Sequence, residues 1–238
     1  MLAEPLRYQP RTPWSPLAAL VALAVILVAA LVGGVAGYVL TSIALPDHKD
    51  APVAVAMLAM QVTGAALTML AAAAFGGARW QLLALDRWPR LATLAVTMAG
   101  LLAIMIPYNI AIFHLAPQMF AADLAPVKKL IGSPAGPLFF AVIAFGAPAS
   151  EELAFRGFLL PALAKSGLGF AGAAVVTSAM WTVLHAGYSV AGLLEVFLIG
   201  LYLSAALWRT GSLWVPLVCH GLYNALLFAV LPYLPMPG

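Results

Sequence analysis

Apolar residues follow one another, almost unbroken by charge, over seven stretches of this chain: near 17–45, 53–75, 91–115, 137–163, 169–185, 190–207 and 213–231. A helix needs about 20 such residues to cross about 30 Å of hydrocarbon, and most of these runs meet that length. The pattern predicts an all-α, polytopic transmembrane helical bundle of about seven to eight helices. The eighth would come from the first long run or from 116–136. Arg7 and Arg11 precede the first run, as in a signal peptide. Its apolar stretch is about twice the 7 to 15 residues of a secretory core, so it is expected to remain as an anchor.

Composition excludes a soluble domain: 64% of residues are hydrophobic and 8% charged, with a mean hydropathy of +1.04. The net charge of +3 is read as loop charge that sets topology, not as a nucleic-acid surface. Seven crossings from a cytoplasmic N-terminus put Arg7, Arg11, Arg79, Arg87, Arg90, Lys165 and Arg209 on one side. Lys49, Lys128 and Lys129 fall on the other, beside Asp47, Asp50 and Asp123. An outside C-terminus follows, and an eighth crossing would reverse it. Cys219 is the single cysteine, so no internal disulfide forms and a small hydrophobic packing role is expected.

The chain divides into an N-terminal cytoplasmic arm (1–16), scaffold helices (17–136), a core rich in polar residues (137–231) and a short tail (232–238). Gly33 and Gly37, four residues apart, suit close helix approach. His114 lies at the end of its run, where a structural or solvated role is expected. From Pro137 onward every run carries polar groups. Pro148 withholds the N–H that the Ala144 carbonyl would accept and should bend its helix ahead of Glu151. Pro216 falls in a first turn, where proline is well tolerated.

The polar groups of the core form three short patterns. Glu151-Glu152-Leu153-Ala154-Phe155-Arg156 comes first. A charge at the bilayer centre costs about 2.5 to 3.5 kcal/mol, so carboxylates there are functional candidates. On a helix Glu152 and Arg156 stand at i and i+4 in the favourable order. Glu151 is turned about 100° away and free for other work. In the second, Trp181 and His185 share a face, the indole shielding the imidazole from lipid. In the third, His220 and Asn224 share a face and can both donate to a developing oxyanion, while Gly221 lets another backbone approach. Measured from the cytoplasmic ends at about 1.5 Å per residue, Glu151, His185 and His220 lie about 21, 24 and 16 Å deep. Helix tilt can bring them together.

Glu-Glu-x-x-x-Arg, aromatic-x-x-x-His and His-x-x-x-Asn, in this order on successive helices, resemble the CPBP family, which includes the type II CAAX prenyl proteases and bacterial Abi-like relatives. The resemblance covers about 139–227 and extends to Val196-Phe197-Leu198-Ile199-Gly200 and the run from Arg209 to Pro216. Trp181 departs from it, since the family more often has Phe there. The resemblance implies an intramembrane endopeptidase of the glutamic type. Glu151 would be the general base, aided by His185; His220 and Asn224 would bind the oxyanion; Glu152 and Arg156 would hold the first motif in shape. The implied partners are the lipid bilayer and a membrane-associated protein or peptide substrate, in a bacterial plasma membrane. No cofactor and no nucleic acid are expected.

Alternatives stay open on the residues alone. Glu151, His185 and His220 offer an oxygen and two nitrogens, a possible catalytic zinc set. The same buried groups would serve a transporter or proton relay, or a non-catalytic immunity or assembly partner. Glu195 is expected as a solvated residue near the surface or as a partner of His185. The residues that bind substrate are not legible in the sequence.

Overall fold

The computed structural model describes residues 8–76 and 78–234; Arg7 and the outer parts of the arm and tail lie outside the described residues. Helix α1 (Pro16–Ala44) starts at Ser15, whose hydroxyl accepts the Ala18 N–H at 3.2 Å. It continues for 29 residues without a break, so the first apolar run is one helix. Next come α2 (Ala51–Ala74), the short α3 (Arg79–Leu82), α4 (Leu91–Leu115) and α5 (Pro117–Ile131). A rod, α6 (Gly136–Ala164), follows, then α7 (Gly169–Val183), α8 (Val190–Thr210) and α9 (Trp214–Val230). Among the described residues there is no strand.

Six of these helices (α1, α2, α4, α6, α8 and α9) are long and apolar enough to cross a membrane. The fifth of the predicted seven runs forms α7, of 15 residues, about 22 Å long. It is completed by the turns at 184–188. Polar contacts nevertheless sort the chain into two ends. At one end, Lys165 Nζ donates to the Thr12 and Trp14 carbonyls, at 2.5 and 2.8 Å. Ser212 Oγ donates to the Arg87 carbonyl, Trp214 Nε1 to the Leu85 carbonyl, and the Tyr8 N–H to Trp208. At the other end, Asp123 of α5 accepts from Ser189, which caps α8. There too Lys128 donates to the Leu234 carbonyl. The chain therefore passes seven times between the ends. Helix α5, carrying Asp123, Lys128 and Lys129, stays at one end and adds no eighth passage. The end that gathers Arg87, Lys165 and Arg209 is the basic one, as the charge bias predicts.

Lipid is the natural surround for this surface. Val25, Val28, Leu31 and Val32 of α1 are exposed, whereas Glu152 and Arg156 are fully buried. The expected close approach of α1 occurs against α2. A Cβ at Gly33 would lie 2.7 Å from Thr63 Oγ1, and one at Gly37 3.1 Å from the Ala59 Cβ. Gly34 extends the contact, with 3.2 Å to the Ala56 carbonyl oxygen. Cys219 is buried among apolar side chains.

Candidate active site

Helix α6 is not uniform, and its irregularities bear the site. It widens to π geometry at Val142–Gly146 and again at Glu152–Leu159, with an α segment Ala147–Glu151 between. Such π segments are frequent at functional sites. In the first, the Ala147 N–H reaches the Val142 carbonyl, five residues back. The same register would pair residue 148 with the Ile143 carbonyl, but residue 148 is proline and has no N–H. Asn224 Nδ2 supplies the missing donor, at 3.0 Å from the Ile143 oxygen. The carbonyl that recruits a partner is thus one residue earlier than the Ala144 expected from α geometry. The Ala144 oxygen lies against Gly221, where a Cβ would come within 2.7 Å of it. Gly221 does admit another backbone, and that backbone is α6.

Beyond this seam, Glu152 and Arg156 pair as their spacing predicts, with Nη1 at 3.1 Å from Oε1. The same oxygen lies 2.9 Å from His220 Nδ1. An acid, a guanidinium and an imidazole from two helices therefore share one sealed site, since His220 is only 4% exposed. Arg156 also stacks over the Trp181 ring, 4.3 Å from its centroid.

Trp181 stands at the centre of the cluster. Its rings lie 5.2 Å from His185 and 5.4 Å from His220. Its Nε1–H donates to Glu151 Oε2 at 2.8 Å. The indole thus does more than shield an imidazole: it orients the carboxylate beside it. His185 Nδ1 lies 3.0 Å from the Trp181 carbonyl oxygen. A carbonyl can only accept, so Nδ1 carries the proton and Nε2 is the ring's free acceptor in the neutral form.

Glu151 and His185 line one cavity of about 430 Å³, whose walls are otherwise largely apolar. Helices α1 and α2 form much of it, through Ile26, Ala30, Leu31, Met60, Gln61 and Gly64. The scaffold half of the chain therefore contributes directly to the candidate site. Gln61 is the polar residue that sequence reasoning missed. It is buried and accepts a hydrogen bond from Ser150 Oγ, one residue from Glu151. Its signal was a lone carboxamide in an apolar run, which points nowhere without the partner helix. His220 and Asn224 are not among the cavity's lining residues; they meet α6 on the side of Glu152 and the Ile143 carbonyl.

One other expectation falls differently. Glu195 is neither solvated nor a partner of His185: it accepts from Asn109 Nδ2 at 2.7 Å and from the Tyr223 hydroxyl at 2.5 Å. Among the described residues, no three His, Cys, Asp or Glu side chains group to hold a metal ion.

Residues 133–226, from just after α5 through most of α9, match a family model described as type II CAAX prenyl endopeptidase Rce1-like. No curated protein and no solved structure matches the chain.

Proposed function

The segment 133–226 is a member of the Rce1-like family of type II CAAX prenyl endopeptidases, and on that premise we propose that this integral membrane protein hydrolyses a peptide bond of a membrane-associated protein or peptide. The observation that carries the reading is the pairing of Glu151 and His185 in one largely apolar cavity, with Trp181 bonded to both.

In this reading a water sits between the Glu151 carboxylate and His185 Nε2. Glu151 takes a proton from the water as its oxygen attacks the scissile carbonyl carbon, and later returns that proton to the departing amine. His185 Nε2 accepts a hydrogen bond from the water's other O–H, which stays on the oxygen, and so aims the attacking lone pair. Trp181 holds Glu151 through Oε2, leaving Oε1 for the proton. The oxyanion falls to His220 and Asn224, which stand beyond the residues that line the cavity, so the scissile carbonyl would have to reach past Trp181, whose ring is 5.4 Å from that of His220. The Asn224 amide has two N–H groups, of which one serves the Ile143 carbonyl. The other is available to a developing charge. To stabilise the oxyanion from Nε2 while its Nδ1–H donates to Glu152, His220 would act as an imidazolium, both ring nitrogens donating. Arg156 balances the Glu152 charge.

The test compares wild type with Glu151→Gln on a library of quenched peptides in liposomes, with folding verified for both. Cleavage by the wild type that the variant loses supports the reading. Equal cleavage by both removes Glu151 from the role of base.

A further inference from the structure

Cavities, buried polar clusters and unpaired faces across the molecule converge on one residue of α2, outside the family-matched segment. Gln61 is 9% exposed and lines the same cavity as Glu151 and His185. Its seat is built by small residues. A Cβ at Gly146 would lie 3.4 Å from the Gln61 Cβ, and one at Gly64 3.6 Å from the Ser150 Cβ. This close approach brings the carboxamide to Ser150, whose hydroxyl donates to Oε1. With its oxygen engaged, the side chain is left with an –NH2 group bearing two donors. Among the described residues no acceptor bonds that nitrogen, and it is not one of the sealed polar atoms of the interior. Gln61 lines the cavity, and that is the side on which a free donor can find a partner.

An amide donor in an apolar cavity within the membrane wants an acceptor. A peptide drawn in for cleavage is extended, and its carbonyls have lost the internal partners a membrane helix would give them. Glu151 is an acceptor committed to water, and the rest of the wall offers little. We infer that Gln61 Nε2 donates to a backbone carbonyl of the substrate and so registers the scissile bond against Glu151. This rests on the hydrolase reading above and names a substrate-binding residue that the reading does not contain. The contact is made to the bound peptide before any charge develops, so it acts on ground state and transition state alike.

The measurement is steady-state kinetics in liposomes on the quenched peptide that the wild type cleaves fastest. Gln61→Met keeps length and volume but loses the donor. Gln61→Leu also loses the donor without adding a charge beside Glu151, and leaves Ser150 to donate to the Ala147 carbonyl. Each variant is expected to raise KM about threefold to tenfold with kcat little changed, the scale of one hydrogen bond. Thermal unfolding should stay close to wild type for at least one of them. An unchanged KM, a fall in kcat alone, or failure of both variants to fold would overturn the inference and leave Gln61 as a packing residue. Absence of cleavage by the wild type itself overturns the hydrolase reading, and this inference with it.

Discussion

Trp181 Nε1 donates to Glu151 Oε2 at 2.8 Å, while the face of the same indole carries the Arg156 guanidinium at 4.3 Å. One side chain of α7 therefore couples the carboxylate of the cavity to the buried ion pair behind it. A phenylalanine at this place is the informative comparison. Phenylalanine would preserve the stacking but could not make the hydrogen bond, so Glu151 is more firmly oriented here than by an aromatic wall alone.

Trp181→Phe removes that bond. An aromatic ring remains beside Arg156 and His185, while the N–H and part of the buried volume of the indole are lost. A hydrogen bond to a charged group is worth about 1.5 to 3 kcal/mol. If about half of that holds the carboxylate where it takes the water's proton, kcat for the cleaved peptide falls about tenfold. KM should move little, and the smaller buried ring should lower the thermal unfolding midpoint through the cavity it leaves. Wild-type kcat in this variant would mean that Glu151 is oriented by the cavity itself.

Glu152 offers a test of stability. It is fully buried between Arg156 and His220, and removing one partner of such a pair leaves an uncompensated charge. Glu152→Ala should cost about 3 to 5 kcal/mol. Replacing Glu152 and Arg156 together by Met removes both charges and should recover much of that loss, because well-packed apolar residues often match a buried pair. Denaturant unfolding in detergent micelles measures both. A double variant no better than the single would place the cost in packing.

How far the sequence could be read follows from what is local and what is not. The helices were legible because about 20 apolar residues in a row have few other fates. The Glu152–Arg156 pair was legible because four residues on a helix bring two side chains together. The π segments were not. Pro148 announced a bend, but which carbonyl would lack a donor depends on whether the turn closes at four residues or five. The contact of His220 with Glu152, the Trp181 bond to Glu151 and the seat of Gln61 all join separate helices. Their existence depends on helix rotation and depth, which periodicity in one strongly apolar helix does not fix. Glu195 was misplaced for the same reason: its partners, Asn109 and Tyr223, lie on two other helices.

Gly221 is the point at which α9 meets α6 most closely. In Gly221→Ala the new methyl would sit 2.7 Å from the Ala144 carbonyl oxygen, a backbone atom that cannot swing away. Overpacking of this kind costs about 1 to 3 kcal/mol. The relief is for α9 to move outward, which lengthens the contact of His220 with Glu152 and should lower kcat along with stability. Gly167→Ala is the control, since a Cβ there meets nothing within 4 Å. It should unfold within about 0.5 kcal/mol of wild type. Thermal unfolding and peptide cleavage, measured side by side, separate the two.

The link between Pro148 and Asn224 can be tested as a cycle. Asn224→Ala strips the Ile143 carbonyl of its donor, and an unsatisfied buried acceptor costs about 1 to 3 kcal/mol. Pro148→Ala restores an N–H at the position that the π register aims at that carbonyl. In this background the helix can satisfy the oxygen by itself, so Asn224→Ala should cost less than about 1 kcal/mol. The expected coupling between the sites is then about 1 kcal/mol or more, above the roughly 0.5 kcal/mol within which independent sites add. Freed from the carbonyl, Asn224 should also turn more readily, so Pro148→Ala alone is expected to lower kcat with little loss of stability. Strict additivity in the cycle would show that the carboxamide and the proline act on α6 independently, and that Asn224 is held in place by its own helix.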